Sequence, residues 1–179
     1  FLGLLDTNGG LRRDLRLFGN DVIVGVLDTG AIQDHPSFSD GGLQRYSEPP
    51  ARWSGRCEGG EEWSADDCNN KLIGARWFVE GFRNPDGSFN LVEDEFLSPR
   101  DASGHGTHTA GTAAGNYALG TLSGTRVGIL SGMAPRARVA AYKVCWLAPG
   151  ATTFSCFFSD SAAATEAAIE DGVDVLNFS

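Results

Sequence analysis

The stretch Asp21–Gly30, DVIVGVLDTG, decides the fold of this chain. Its apolar, largely β-branched run ends in an aspartate and a Thr-Gly turn, a pattern typical of a buried strand in a parallel sheet. We therefore predict a strand over residues 21–28 with Asp28 at its carboxyl end. Because open α/β sheets place their sites at this edge, Asp28 is the first candidate functional residue.

Strand and helix signals alternate along the rest of the chain. A short strand is predicted at KLIGARWF (71–78), and further buried strands at ARVAAYKVC (137–145) and VDVLNFS (173–179). Helices are predicted at 106–115 and 159–172, the second capped by Ser159 or Asp160 and ended by Gly172. This alternation predicts an α/β fold, a parallel sheet with flanking helices and right-handed crossovers.

Residues 40–99 are the long exception to this alternation. They are rich in turn signals, such as Gly59-Gly60 and Asn84-Pro85, and exceed the usual length of a connection. We predict that they form an elaborated insertion in a single domain. The acidic run at 93–95 is expected to be a solvated loop.

Bulk composition excludes several classes of function. The chain has 179 residues, a net charge of −9 and a pI near 4.7, which argues against a nucleic-acid partner. No apolar run approaches the roughly 18 residues of a membrane span. The opening FLGLL is too short for the apolar region of a signal peptide and has no basic residue before it, so we expect that an exported form of this protein has already lost its targeting segment.

Four cysteines form two local pairs in sequence, Cys57 with Cys68 and Cys145 with Cys156. Four cysteines allow three connectivities, between which the sequence does not choose. Disulfides that staple surface loops in an oxidising compartment are the favoured interpretation. Reduced thiols and a zinc site are the alternatives, although neither pair has C-x-x-C spacing.

The run DASGHGTHTAGTAAGN, residues 101–116, places His105 at the start of a helix made of small residues. Such a helix can lie close against the sheet and bring His105 to Asp28. An aspartate that accepts a hydrogen bond from one imidazole nitrogen fixes the tautomer and leaves the other nitrogen to take a proton. The spacing therefore indicates an acid–base pair.

Four blocks together resemble the subtilisin-like serine proteases: VIVGVLDTG (22–30), GHGTHTAGTAAG (104–115), GMAPRARVAAYKV (132–144) and DGVDVLNFS (171–179). Their order also matches the Asp, His, Ser order of that family. The segment CEGGEEWSADDCNNKLIGARWF (57–78) resembles the cucumisin-like branch, larger subtilases of plants and some bacteria that carry a protease-associated domain.

This resemblance implies a subtilisin-like three-layer sandwich in a secreted serine endopeptidase. It implies that Asp28 orients the histidine, that His105 is the general base, and that Ser179 begins the strand that pairs with the substrate backbone. FLGL (1–4) resembles the segment that follows propeptide removal, so a propeptide is an expected partner in the precursor.

Two family features are not found in the sequence. The Gly-Thr-Ser block of the nucleophile is absent, as is the asparagine that stabilises the oxyanion. Since the chain also stops within a predicted strand, we expect residues 1–179 to be the N-terminal part of one peptidase domain. Its expected partners are a protein or peptide substrate and a C-terminal part bearing the serine and asparagine. No cofactor or metal is expected, and Ser37 replaces a calcium-binding aspartate of many bacterial subtilisins.

Other interpretations of the same residues remain open. The chain could be an inactive fragment or pseudoprotease that acts as a peptide- or protein-binding module. Asp-Thr-Gly also occurs in aspartic proteases, in a β-barrel lobe that the helical alternation disfavours. His105 and His108 could bind a metal, but zinc pairs on helices usually stand at i and i+4. His108 is instead expected to be packed and hydrogen-bonded, and Phe154, Phe157 and Phe158 to line a pocket or the core.

Overall fold

The computed structural model describes residues 10–179, so the segment FLGL lies outside the described residues. Four parallel strands form the central sheet: β1 Ile23–Asp28, β2 Leu72–Trp77, β5 Arg138–Lys143 and β8 Val175–Phe178. Their order in the sheet is β2-β5-β1-β8. The predicted α/β class with a parallel sheet is therefore confirmed.

The remaining elements flank this sheet. They are the helices α1 Leu11–Asp14, α2 His105–Ala114 and α3 Phe158–Asp171, the hairpin of β3 Ala118–Leu122 with β4 Thr125–Leu130, and the short pair β6 Cys145–Trp146 with β7 Ser155–Cys156. None of the helices described is long and apolar enough to cross a membrane.

Successive side chains of β1 lie on opposite faces of the sheet and belong to two separate hydrophobic cores. Val24 and Val26 pack with Ala110 and Ala114 of α2 on one face of the sheet. Ile23 and Leu27 pack in the cluster that contains the buried alanines of α3 on the other face. Because successive side chains of a strand point to opposite faces, an uninterrupted apolar strand requires a layer on each side. The result is a three-layer arrangement.

Helix α2 lies very close to the loop that follows β1. A Cβ atom at Gly106 would stand 2.2 Å from the carbonyl oxygen of Gly30, well inside van der Waals contact. The absence of a side chain at Gly106 therefore lets the first turn of α2 approach the end of β1. This approach explains how His105 reaches Asp28.

The ends of the segment between β1 and α2 are joined to each other by the backbone. The amide of Ala31 donates to the carbonyl of Pro99 at 3.0 Å, and the amide of Asp101 donates to the carbonyl of Ala31 at 3.0 Å. Residues 32–99 thus leave and return at one point beside the sheet edge. Within them lie β2 and the 3₁₀ turns Pro36–Phe38, Ala65–Asp67 and Glu80–Phe82.

The structure joins both local cysteine pairs as disulfides, Cys57 to Cys68 and Cys145 to Cys156. The first closes a loop of residues 32–99 beside β2. The second spans β6 and β7, whose Cα register pairs these same two cysteines. Each disulfide therefore restrains a segment that lies beside a strand, the first beside β2 and the second between β6 and β7.

Two buried lysines contrast with the acidic surface. Lys71 is fully buried, and its Nζ donates to the carbonyls of Pro135, at 3.0 Å, and Ala137. Burial, helped by the nearby Arg138 charge, lowers the pKa of Lys71 to about 7. Charging Lys71 in the folded state is therefore costly.

The second buried lysine corrects the expectation for one residue of the acidic run at 93–95, in which Glu93 and Asp94 are exposed as expected. Glu95 is buried rather than solvated, and its Oε2 accepts a hydrogen bond from Lys143 Nζ at 2.7 Å. Lys143 also donates to the carbonyl of Arg100 at 2.7 Å. The charge at the end of β5 needs a carboxylate partner, because an unpaired buried charge is expensive.

Helix α3 begins differently from its prediction. Phe157, not Ser159 or Asp160, occupies the N-cap position and gives no side-chain cap. The Asp160 carboxylate instead accepts the backbone N–H of Gly81 at 3.1 Å, because the turn Glu80–Phe82 packs against the helix. Gly172 ends the helix as predicted, with φ +87°.

The last strand is also less buried than predicted. β8 is the edge strand of the sheet, and Val175, Leu176 and Phe178 are exposed by 53%, 38% and 58% of their surface. The apolar run VDVLNFS predicts a buried strand, but among the described residues β8 has a neighbour only in β1. The strand prediction is right and the burial prediction is wrong.

Candidate active site

The structure brings Asp28 and His105 into direct contact. Their side chains are 77 positions apart in sequence, and Nδ1 of His105 lies 2.7 Å from Oδ1 of Asp28. Asp28 ends β1 at the carboxyl edge of the sheet, whereas His105 begins α2. The Asp28 side chain is 0% exposed and that of His105 is 39% exposed. A buried carboxylate therefore holds one nitrogen of an imidazole that remains open to solvent.

Three further donors hold the Asp28 carboxylate. Oδ1 accepts the backbone N–H of Thr29 at 2.7 Å. Oδ2 accepts the hydroxyl of Thr109 at 3.0 Å and the hydroxyl of Ser179 at 3.3 Å. A buried carboxylate without such donors would be costly, so these contacts compensate for its burial and fix its orientation. Ser179, expected to bind the substrate backbone, has its hydroxyl beside the pair.

A second buried carboxylate, Asp101, supports the start of α2. Its Oδ2 accepts the backbone N–H of Thr107 at 2.8 Å and the Thr107 hydroxyl at 2.6 Å. Its Oδ1 accepts the Thr29 hydroxyl at 2.8 Å and the N–H of Gly104 at 2.8 Å. Asp101 thus ties the residue that follows Asp28 to the residues on both sides of His105.

Sequence reasoning missed Asp101, Thr29 and Thr109 as parts of the site. For Asp101 a signal was present, because an aspartate just before a helix is a common cap for the first amide groups. For Thr109 the signal is its position four residues after His105, which places both side chains on one helix face. Neither signal indicates contact with the end of β1, where Asp101 meets Thr29 and Thr109 meets Asp28, unless the approach of α2 to β1 is known.

The three phenylalanines near β7 have different surroundings. The Phe154 ring lies 4.9 Å from the His105 ring between centroids, so this residue borders the candidate site. Phe157 packs edge-on against Phe82 at 4.6 Å. Phe158 is 87% exposed. Of the three, only Phe154 contacts the Asp28–His105 pair.

The other two histidines lie outside this contact. His108 is exposed rather than packed, because its position on α2 faces away from the sheet. His35 accepts the N–H of Ser37 at 3.2 Å through Nδ1, and burial lowers its pKa against the opposing effect of Asp34. Within residues 10–179, no group of three or more His, Cys, Asp or Glu residues is arranged to hold a metal ion.

Comparison with known proteins identifies the class to which this architecture and site belong. The model of the subtilase family matches residues 19–179. The chain therefore belongs to the subtilase family, as the resemblance of the four sequence blocks predicted.

Several relatives come from Arabidopsis thaliana. Subtilisin-like protease SBT1.6 is 49% identical over 164 residues, covering 90% of this chain and 20% of that protein. Subtilisin-like proteases SBT1.4 and SBT1.5 are 47% and 43% identical, covering 100% of this chain and 22% of each relative. The chain thus spans about a fifth of the length of the curated relatives it matches.

Proposed function

We propose that this chain supplies the aspartate and histidine of the Asp-His-Ser triad of a secreted serine endopeptidase. One observation carries the proposal: the 2.7 Å contact between the buried Asp28 carboxylate and Nδ1 of the partly exposed His105. The serine and the oxyanion asparagine would come from residues outside this chain. Membership of the subtilase family and the protease names of the relatives support this assignment.

The proposed mechanism follows from which imidazole nitrogen is occupied. Asp28 accepts the Nδ1 proton, which leaves Nε2 unprotonated and able to take the proton of a serine hydroxyl as that hydroxyl attacks a peptide carbonyl. The imidazolium that forms is stabilised by the negative Asp28, and its proton then passes to the leaving amine. An asparagine donor to the oxyanion would contribute about 3–4 kcal/mol.

The proposal extends to the organisation of the protein. Residues 1–179 would form the N-terminal part of one peptidase domain, with residues 40–99 as an insertion. Ser179 would begin the strand that pairs with the backbone of the substrate. The substrates of the protein would therefore be proteins or peptides. A propeptide would be removed during maturation. The two disulfides support secretion into an oxidising compartment.

A serine-reactive fluorophosphonate probe tests this function on the full-length protein. We expect the probe to label one serine outside residues 1–179, located by mass spectrometry, and His105→Ala to lose labelling and peptide hydrolysis together. His108→Ala is the matched control because it removes an exposed imidazole three residues further along α2.

The alternative function predicts a different result. If the full-length protein binds peptides but none of its serines reacts with the probe, it is a pseudoprotease that acts as a peptide-binding module. Undiminished labelling in His105→Ala would overturn the role of His105 as the base that activates the serine.

A further inference from the structure

The two oxygens of Asp28 are held by side chains of a single helix. His105 and Thr109 stand at i and i+4 of α2, and residues with this spacing lie on one helix face. Nδ1 of His105 is 2.7 Å from Oδ1, whereas the Thr109 hydroxyl is 3.0 Å from Oδ2. One face of α2 therefore contacts both edges of the same carboxylate.

This geometry restricts the rotation of the Asp28 carboxylate about its bond to Cβ. With donors only at Oδ1, from the Thr29 amide and His105, Oδ2 would be free to move, and rotation of the group would change the direction of the lone pair that His105 meets. A second donor at Oδ2 penalises that rotation. The competing donor at Oδ2 is Ser179, whose hydroxyl lies farther away at 3.3 Å.

We propose that Thr109 is a positioning residue, whose hydroxyl fixes the Asp28 carboxylate in the orientation that holds His105. The proposal rests on the function proposed above, since it concerns the same pair. Thr109 itself would touch neither the substrate nor the proton in transfer. It acts through Asp28.

The Thr109 hydroxyl has one proton and two acceptors. Besides Asp28, the carbonyl of Gly106 lies 3.1 Å away, at the distance of an ordinary bond from a helical threonine to the preceding turn. A hydrogen bond to a charged carboxylate is stronger than one to a neutral carbonyl. The proton is therefore assigned to Asp28, and the carbonyl is the alternative that the experiment must distinguish.

The test compares Thr109→Val and Thr109→Ser with wild type in the full-length protein. Valine keeps the shape and removes the hydroxyl, whereas serine keeps the hydroxyl and removes a methyl group. Loss of a hydrogen bond to a charged group predicts that Thr109→Val lowers kcat by about 10-fold or more with KM little changed. Thr109→Ser should retain most of the activity. Thr112→Val, at an exposed position of the same helix, is the matched control.

Each outcome decides between positioning and packing. Values of kcat are taken per mole of folded protein, with thermal unfolding measured for every variant. A Thr109→Val enzyme within twofold of wild-type kcat would overturn the proposal, as would equal losses in the valine and serine variants. If His105→Ala is inactive in the same assay, either result leaves the proposed function standing. If His105→Ala is fully active, the function itself fails.

Discussion

Replacing Asp28 by asparagine removes a charge and changes little else in shape. In wild type, Oδ1 accepts from both Thr29 and His105, and Oδ2 accepts from Thr109. An asparagine has only one side-chain oxygen, which faces either Thr29 and His105 or Thr109. In the first orientation its NH₂ group faces the Thr109 hydroxyl. In the second the NH₂ group faces Nδ1 of His105 and selects the tautomer that is protonated at Nε2 and cannot act as a base there.

The size of the effect follows from the contact. A carboxylate and an imidazolium with charges roughly 4 Å apart attract by about 4 kcal/mol at an effective dielectric constant of about 20. Since the proposed mechanism forms the imidazolium as the serine proton is transferred, loss of this attraction raises the barrier by about 4 kcal/mol and lowers kcat by about 10³-fold.

The assay is kcat and KM for the proposed hydrolysis of a chromogenic peptide by the full-length protein, together with its thermal unfolding. Asp34→Asn is the control, because Asp34 is an exposed aspartate six residues further along the chain. We expect Asp28→Asn to remain folded with KM little changed. A loss of less than about 100-fold would refute the reasoning, since the lost attraction alone accounts for more.

Four other variants test the packing of α2 and the two buried lysines. Gly106→Ala should displace α2 and abolish turnover, whereas Gly111→Ala, whose Cβ would have its nearest neighbour at 3.8 Å, should be tolerated in the same assay. Urea titrations test the buried Lys71, whose pKa is about 7 in the folded protein and 10.5 in the unfolded chain. Between these two pH values the unfolded chain binds one proton more than the folded protein. The free energy of unfolding should therefore rise by about 2–3 kcal/mol from pH 7.5 to 9.5, and Lys71→Met should lose this rise. Glu95→Gln should destabilise the fold by about 3–5 kcal/mol in calorimetry because it leaves Lys143 buried and uncompensated; an unchanged midpoint would contradict this.

The sequence predicted the parts of the fold that depend on local pattern. The uninterrupted apolar run of β1 and the small residues of α2 predict burial on both faces and a close helix, and the structure has both. The contact of Asp28 with His105 follows because strand end and helix start lie at the same sheet edge. These features depend on period and position, which a single sequence contains.

Features that depend on distant partners could not be predicted in this way. Glu95 belongs to a charged run that reads as solvated, and only the arrival of Lys143 at the end of β5 makes it buried. The exposure of β8 depends on what lies beside the sheet edge. The hairpin of β3 and β4 was missed although Ser123-Gly124, both with positive φ, gives a turn signal. Its strands carry exposed aliphatic side chains without polar alternation.

The backbone junction at Ala31, Pro99 and Asp101 has a consequence for how this protein can vary. Backbone hydrogen bonds hold the two ends of residues 32–99 together. The distance between Asp28 and His105 therefore does not depend on the number of residues between Ala31 and Asp101. Lengthening a flexible loop twofold costs only about 0.6 kcal/mol of closure entropy. Insertions at exposed turns within residues 32–99 can therefore accumulate over evolution, or be engineered, without a change in the geometry of Asp28 and His105.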